Sequence, residues 1–323
     1  MFGSALGSAS EAEVSFDPTP VMAGGTGRSG TTVIAGLIGR HPEARASVPR
    51  EIKVLTEPGG VLDICVGSGA RRQVSMRSRA LGLVPALRHR ALKSTFTRQM
   101  RGRWWERSNR KGRSSGLHLC MDESARDALV DQFLADLDAM DSLSAGRLFT
   151  ERLIRAQHQH AGESWWLDTS PPNIAEASRI HRLLPQARFI WMVRDGRATA
   201  ASVMAERWGP DGAAEAIAWW ERNLRWAHLG ASAVPDDAVL VVSLEDLVVL
   251  DREGTYGRVL SFLGLEDHPA TRRFFERRMP ADRVRLDGWR DRVPDASDFE
   301  RIYRQAASRL GAEGIPVHER STP

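Results

Sequence analysis

Cysteine is nearly absent from this chain. Cys65 and Cys120 stand far apart without a partner pattern, which excludes a disulfide framework and a thiolate metal site. No apolar run approaches the length that a membrane helix needs. Residues 1–17 are small, polar and acidic, without the basic start and apolar core of a signal peptide, so a disordered lead-in is expected there. The histidines are scattered. His158 and His160 lie two apart on an expected helix, point away from each other and suit no shared metal. No metal site is expected. The hydrophobic fraction of 42% and charged fraction of 27% are those of a soluble globular chain.

Another absence lies inside the most informative segment, Gly24-Gly25-Thr26-Gly27-Arg28-Ser29-Gly30-Thr31-Thr32. The segment follows a short apolar run, Val21–Ala23, and precedes residues 33–38, whose larger side chains fall at helical spacing. A strand, a glycine-rich loop and a helix start make an anion cradle, because backbone N–H groups turn toward one point that the helix dipole makes positive. Thr31 and Thr32 add hydroxyl donors, and Ser29 or Thr32 is expected to cap the helix. Gly25 and Gly30 keep the spacing of a nucleoside-triphosphate loop, which continues with Lys-Ser or Lys-Thr. Thr31 stands at that lysine position, and Arg28 is the only cation of the loop. The lysine that steadies β- and γ-phosphates is missing. The loop reads as a phosphate cradle rebuilt for another donor.

A second anion-holding segment comes later. Residues 187–193 form a near-continuous apolar run of buried-strand length, followed by Arg194-Asp195-Gly196-Arg197 and a helix start at 198–204. Cations and the Ser202 hydroxyl therefore sit at the carboxyl end of a strand, where open α/β sheets bind ligands. The rest reads as scaffold. Leu129, Phe133, Leu137 and Met140 form a helical stripe, and 146–160, 174–184 and 213–228 read as helices. Trp165–Leu167 reads as a buried strand. Strands alternating with helices imply a parallel sheet with right-handed crossovers.

Charge is uneven. From Arg71 to Arg113 the chain carries 14 Arg and Lys against the single acid Glu106, whereas the net charge of the whole chain is +4. Such a run is usually a solvated segment. It can also hold nucleic acid nonspecifically, although no recognisable nucleic-acid module accompanies it.

The loop at Gly25–Thr32 resembles the GxxRSGTT loop of sulfotransferases that use 3′-phosphoadenosine 5′-phosphosulfate (PAPS) as donor. Val193-Arg194-Asp195-Gly196-Arg197, with Ser202 eight residues after Arg194, resembles the second cofactor motif of that family. The resemblance implies a P-loop-like three-layer α/β/α fold with a central parallel sheet and a helical, basic insert. A single domain over 18–315 is expected, with 71–113 placed where relatives carry an acceptor-binding lid. Gly25, Thr26, Gly27, Arg28, Ser29, Gly30, Thr31 and Thr32 would cradle the 5′-phosphosulfate, and Arg194 and Ser202 would hold the 3′-phosphate. Residues 241–247 and 260–265 resemble the V-x-Y-E-D-L strand and the F-L-G-L helix end, with Ser243 in place of the usual tyrosine. Gly288-Trp289-Arg290 resembles a late element whose Trp289 and Arg290 would close over the nucleotide. Without a membrane anchor like that of Golgi relatives, a cytoplasmic enzyme is expected, and the Arg/Ala-rich, Lys-poor composition suggests a bacterial source.

Sulfuryl transfer resembles phosphoryl transfer in being driven by positioning and charge stabilisation. Arg28 and the loop amides would meet the developing charge. Arg50-Glu51-Ile52-Lys53 resembles the K-E-x-x-F-F element of glycan sulfotransferases, which makes Glu51 the candidate base. Val54-Leu55 replaces the aromatic pair, and Asp168 or His118 would be next in line as base. Relatives often place a catalytic lysine in a K-T-P turn. Thr169 stands there, leaving Lys53, Arg28 or a residue of the basic insert to act instead. The implied reaction carries a sulfuryl group from PAPS, without a metal, to a hydroxyl, less readily an amine, of a small-molecule or glycan acceptor. A basic lid would favour an anionic acceptor. Two alternatives remain: a P-loop kinase-like phosphotransferase and a basic nucleic-acid-binding protein. The oligomeric state is not legible.

Overall fold

The alternating strand-and-helix pattern builds one parallel sheet. A computed structural model describes residues 18–69, 85–108, 112, 114–157, 163–283 and 285–318. Its elements, in chain order, are β1 (Thr19–Gly25), α1 (Thr31–Ile38), β2 (Ala44–Ala46), α2 (Val61–Cys65), α3 (Pro85–Arg101), β3 (Arg107–Ser108), β4 (Ser114–Ser115), α4 (Glu123–Ala139), α5 (Ser142–Ala156), β5 (Trp165–Asp168), α6 (Ala177–Leu183), β6 (Arg188–Val193), α7 (Gly196–Met204), α8 (Ala213–Ala231), β7 (Val239–Ser243), α9 (Arg252–Phe262), α10 (Pro269–Arg278) and α11 (Ala296–Ala312). The five-stranded sheet has the order β2-β5-β1-β6-β7, with every pairing parallel. β3 and β4 form a separate antiparallel pair.

Side-chain alternation along the central strands divides the core into two layers. Met22, Phe189, Trp191 and Val193 face one cluster, with Val61, Phe133, Ile180 and Trp220 from the helices of that side. Val21, Ala23, Ile190 and Met192 face the other, with Ile34 and Leu37 of α1, Tyr256 of α9 and Phe275 of α10. The result is the three-layer α/β/α arrangement. Two aromatic residues inside the basic run, Phe96 and Trp104, lie deep in the first layer. Phe96 of α3 contacts Trp104, Phe133 and Phe149 in edge-on pairs 5.0–5.8 Å apart, and all four are fully buried. Burying each such ring contributes about 1.5–3 kcal/mol, so α3 is an anchored helix carrying its cations on the outer face.

Several boundaries differ from the sequence reading. The stretch expected as a helix over 146–160 is α5, which starts earlier because the Asp141 side chain accepts the Ser144 amide at 3.0 Å as its cap. α5 ends at Ala156, and residues 158–162, which include His158 and His160, lie outside the described residues. The helix read over 174–184 is confined to α6, because Pro171–Asn173 takes a separate 3₁₀ turn. The strand read over 241–247 stops at Ser243, whose hydroxyl accepts the Asp246 amide and turns the chain into a π-helical turn over Asp246–Leu250. Among the described residues, no helix is long and apolar enough to cross a membrane.

Candidate active site

The loops that leave the carboxyl ends of β1, β2, β5, β6 and β7 surround one cleft of about 650 Å³. Open parallel sheets gather ligands there because all strands end on the same side and helix N-termini face it. Both anion-holding segments found in the sequence reach this cleft.

The glycine-rich loop forms its floor. Gly30 takes a left-handed backbone, φ 101°, and is itself the N-cap of α1, without any side-chain cap bond. The expected capping by Ser29 or Thr32 is therefore corrected: in that conformation neither hydroxyl bonds the first turn. The Ser29 hydroxyl is instead fully buried without a hydrogen-bond partner. None of the Gly27–Gly30 amides donates to an acceptor among the described residues. Gly27, Arg28 and Gly30 line the cleft, so these free amides form a cradle for an external acceptor. Gly25 keeps it open, since a Cβ there would lie 2.4 Å from the Met192 carbonyl and 2.5 Å from Ser29 Oγ. Arg28, in the left-handed region at φ 58°, points its side chain toward α7. Thr26 donates to the Gly27 carbonyl, Thr31 is buried and Thr32 exposed.

The second segment locks onto the first. Arg194 lines the cleft and donates to the Arg28 carbonyl at 3.0 Å, fixing the loop from the β6 side. Burial pushes its guanidinium below the ordinary value, and Glu245 opposes that shift. The Ser202 hydroxyl, on buried α7, accepts from Arg28 Nε at 3.1 Å. Asp195 is the cap of α7, accepting the Arg197 and Ala198 amides. Arg197 turns away to Asp195 and Glu300 and serves as scaffold. Trp289 and Arg290 are not brought to the cleft. Trp289 is buried against Phe299 and under Arg197, and Arg290 lies over the outer face of its ring. Ser243, standing for the family tyrosine, is buried and turned to Glu245 and Asp246.

The opposite side of the cleft carries Glu51 and Lys53. Their loop is held by the turn after β5. Asp168, fully buried, accepts the Ile52 amide at 2.9 Å as well as Ser170 and Asn173 donors. The Thr169 amide and hydroxyl both donate to the Arg50 carbonyl at 3.0 Å. Thr169, where the family lysine would stand, thus acts as a clamp on the loop. The surrounding protein pushes the Glu51 carboxyl above its ordinary value through burial, with Lys53 opposing and Asp168 adding to the shift. Lys53, also left-handed at φ 62°, places its ammonium 3.9 Å from Glu51 and 3.2 Å from Glu57. Glu57 in turn accepts from Trp104 Nε1 at 2.9 Å and pairs with Arg103. Backbone strain of this kind gathers at functional sites. His118 bonds to Ser114 and the Trp105 carbonyl and does not line the cleft, and Val54 and Leu55 are core.

Sequence reasoning missed most of the walls. Glu206 and Trp208, just after α7, Trp219 and Asn223 of α8, and Leu244 after β7 all line the cleft. No local signal separates them from scaffold, because their position depends on how α8 folds over the loop. No described residue of the basic run, expected as a lid over 71–113, lines the cleft; of that run, residues 71–84, 109–111 and 113 lie outside the described residues. No group of three or more His, Cys, Asp or Glu suited to a metal occurs among the described residues.

A sequence model of the sulfotransferase family matches residues 76–269, more than half of the chain. The chain belongs to the sulfotransferase family. The matched stretch includes Arg194 and Ser202 but begins after the Gly24–Thr32 loop, so the two motifs are independent observations. Among solved structures, the sulfotransferase domain of the Synechococcus PCC 7002 olefin synthase is 18% identical, with 91% of this chain and 96% of that chain covered and a TM-score of 0.49. Sulfotransferase STF9 from Mycobacterium avium is 15% identical over 95% of this chain and 79% of its own, with a TM-score of 0.48. A sulfotransferase from Alicyclobacillus acidocaldarius is 13% identical over 92% and 95%, with a TM-score of 0.44. No curated protein matches the sequence. For this sulfotransferase, the kinase reading gives way.

Proposed function

We propose that this sulfotransferase takes its sulfuryl group from PAPS and delivers it to a hydroxyl, less readily an amine, of a small-molecule or glycan acceptor. One observation carries the reading: the unpaired loop donors, Arg28 and Arg194 meet in the same cleft as Glu51 and Lys53. The residues fit the donor. The unpaired Gly27–Gly30 amides suit the 5′-phosphosulfate, while Arg194 and Ser202 suit the 3′-phosphate.

The donor supplies an activated sulfuryl group whose S–O bond to the phosphate breaks as the acceptor oxygen bonds to sulfur. Glu51 receives the acceptor proton. Its raised pKa makes it a stronger base than an ordinary glutamate, and the Lys53 ammonium opposes that shift and so favours the carboxylate form. Lys53, Arg28 and the loop amides meet the negative charge that grows on the departing phosphate oxygen. Asp168 and Thr169 hold the Glu51 loop so that little reorganisation is needed.

Calorimetry tests the donor. The expected result is tight, metal-independent binding of 3′,5′-adenosine bisphosphate. A preference for Mg·ATP, or steeply salt-dependent DNA binding alone, would sink the proposal.

A further inference from the structure

Glu206 is out of place. It is a carboxylate lining the cleft beside the glycine-rich loop and Arg28, which suit anions, and no motif accounts for it. Its Oε1 lies 3.2 Å from Arg28 Nη1, while Arg28 Nε donates to Ser202 Oγ at 3.1 Å. Arg28 and Glu206 are both partly exposed, at 46% and 34% of their side chains. Solvent therefore screens the pair and keeps it exchangeable.

The backbone of Glu206 is fixed independently of its side chain. Its amide donates to the Val203 carbonyl, and its own carbonyl accepts the Gly209 amide, both at 2.9 Å. The turn is forced, since a Cβ on Gly209 would lie 1.9 Å from the Val203 oxygen. The carboxylate is thus presented to Arg28 by a rigid turn.

Resting on the donor reading above, we infer that Glu206 is a resident counter-anion that competes with the donor phosphates for Arg28. One guanidinium has two claimants, the Glu206 carboxylate and the anionic nucleotide, and it cannot pair fully with both. Glu206 holds Arg28 against Ser202 when the nucleotide leaves and must yield Arg28 when it enters. It lowers affinity for the bisphosphate product and so speeds its release. An acid placed here purely for stability would have no such effect on binding.

The test is nucleotide affinity by calorimetry for the wild-type chain and Glu206→Gln, using adenosine, adenosine 5′-monophosphate and 3′,5′-adenosine bisphosphate. The amide keeps size and hydrogen bonding but removes the charge. Glu206→Gln should bind the bisphosphate at least about threefold tighter at low salt, the monophosphate less so, and adenosine unchanged, with the gain shrinking as salt rises. Unchanged or weaker bisphosphate binding overturns the inference, as does an equal gain for adenosine, which would mean a reshaped cleft. Glu206→Ala guards against a special effect of the amide and should show the same order. If neither wild type nor variant binds the bisphosphate, the donor reading falls and the inference with it. If the wild type binds and the variant shows no gain, the inference alone fails.

Discussion

The two ends of the cleft are built by different means. At the proposed donor end, the loop after β1 and the segment after β6 supply their candidate groups from adjacent residues, with backbone amides left free to meet an anion. At the acceptor end, Glu51 and Lys53 owe their placement to residues far away in sequence. Asp168 and Thr169 grip their loop across more than a hundred positions, and Glu57 is held by Trp104 beyond α3. An anion can be bound by local geometry, because amides and a helix terminus suffice. A base and a cation need mutual distances and a tuned environment, which only packing provides.

Substitutions at the two ends should separate along that line. The largest effect is expected from Glu51→Gln, which should lower turnover about 10²–10⁴-fold while leaving bisphosphate affinity intact. Glu51 must be ionised to accept a proton, and its pKa is raised. Wild-type turnover should therefore fall on acidification at a pH above the ordinary glutamate range, and the variant should lose that limb. An acceptor with an aliphatic hydroxyl is needed, because an acidic phenol gives up its proton without help. Near-wild-type turnover in the variant would remove Glu51 from the mechanism.

Arg194→Ala strikes the other end. A charge-assisted contact is worth about 1.5–3 kcal/mol, or roughly 10–150-fold in bisphosphate affinity, and adenosine monophosphate should lose far less. Equal losses for both nucleotides would make Arg194 a scaffold residue for the Arg28 carbonyl.

Thr169→Val probes whether the acceptor end depends on its clamp. Removing one hydroxyl bond should cost about 1 kcal/mol of stability and several-fold in turnover, with nucleotide affinity unchanged. A parallel loss of nucleotide binding would show that the two ends are not separable.

The smallest effect is expected from Trp104→Phe, which keeps a buried ring but deletes the donor to Glu57. Turnover should drop about two- to fivefold, the worth of roughly one hydrogen bond, and nucleotide titration should stay as in wild type. No change in turnover would detach Glu57 from the alignment of Lys53.

The sequence by itself determined the sheet class and marked the two segments, Gly24–Thr32 and Arg194–Arg197, that reach the cleft. Apolar runs of strand length ending in glycine or arginine are local patterns, and the phosphate-loop spacing without its lysine already pointed away from nucleoside triphosphates. It also singled out Glu51, though as one acid in a loose pattern. Only the tertiary structure decided the rest. It made Thr169 a clamp rather than a gap and turned Arg197 and Trp289 into scaffold. It buried Ser29 without a partner where a cap was expected, and brought Glu206 and Trp219 to the cleft. The physical reason is range. Backbone conformation and helix ends are set within a few residues, whereas burial, pairing and charge balance depend on which distant surfaces the folded layers press together.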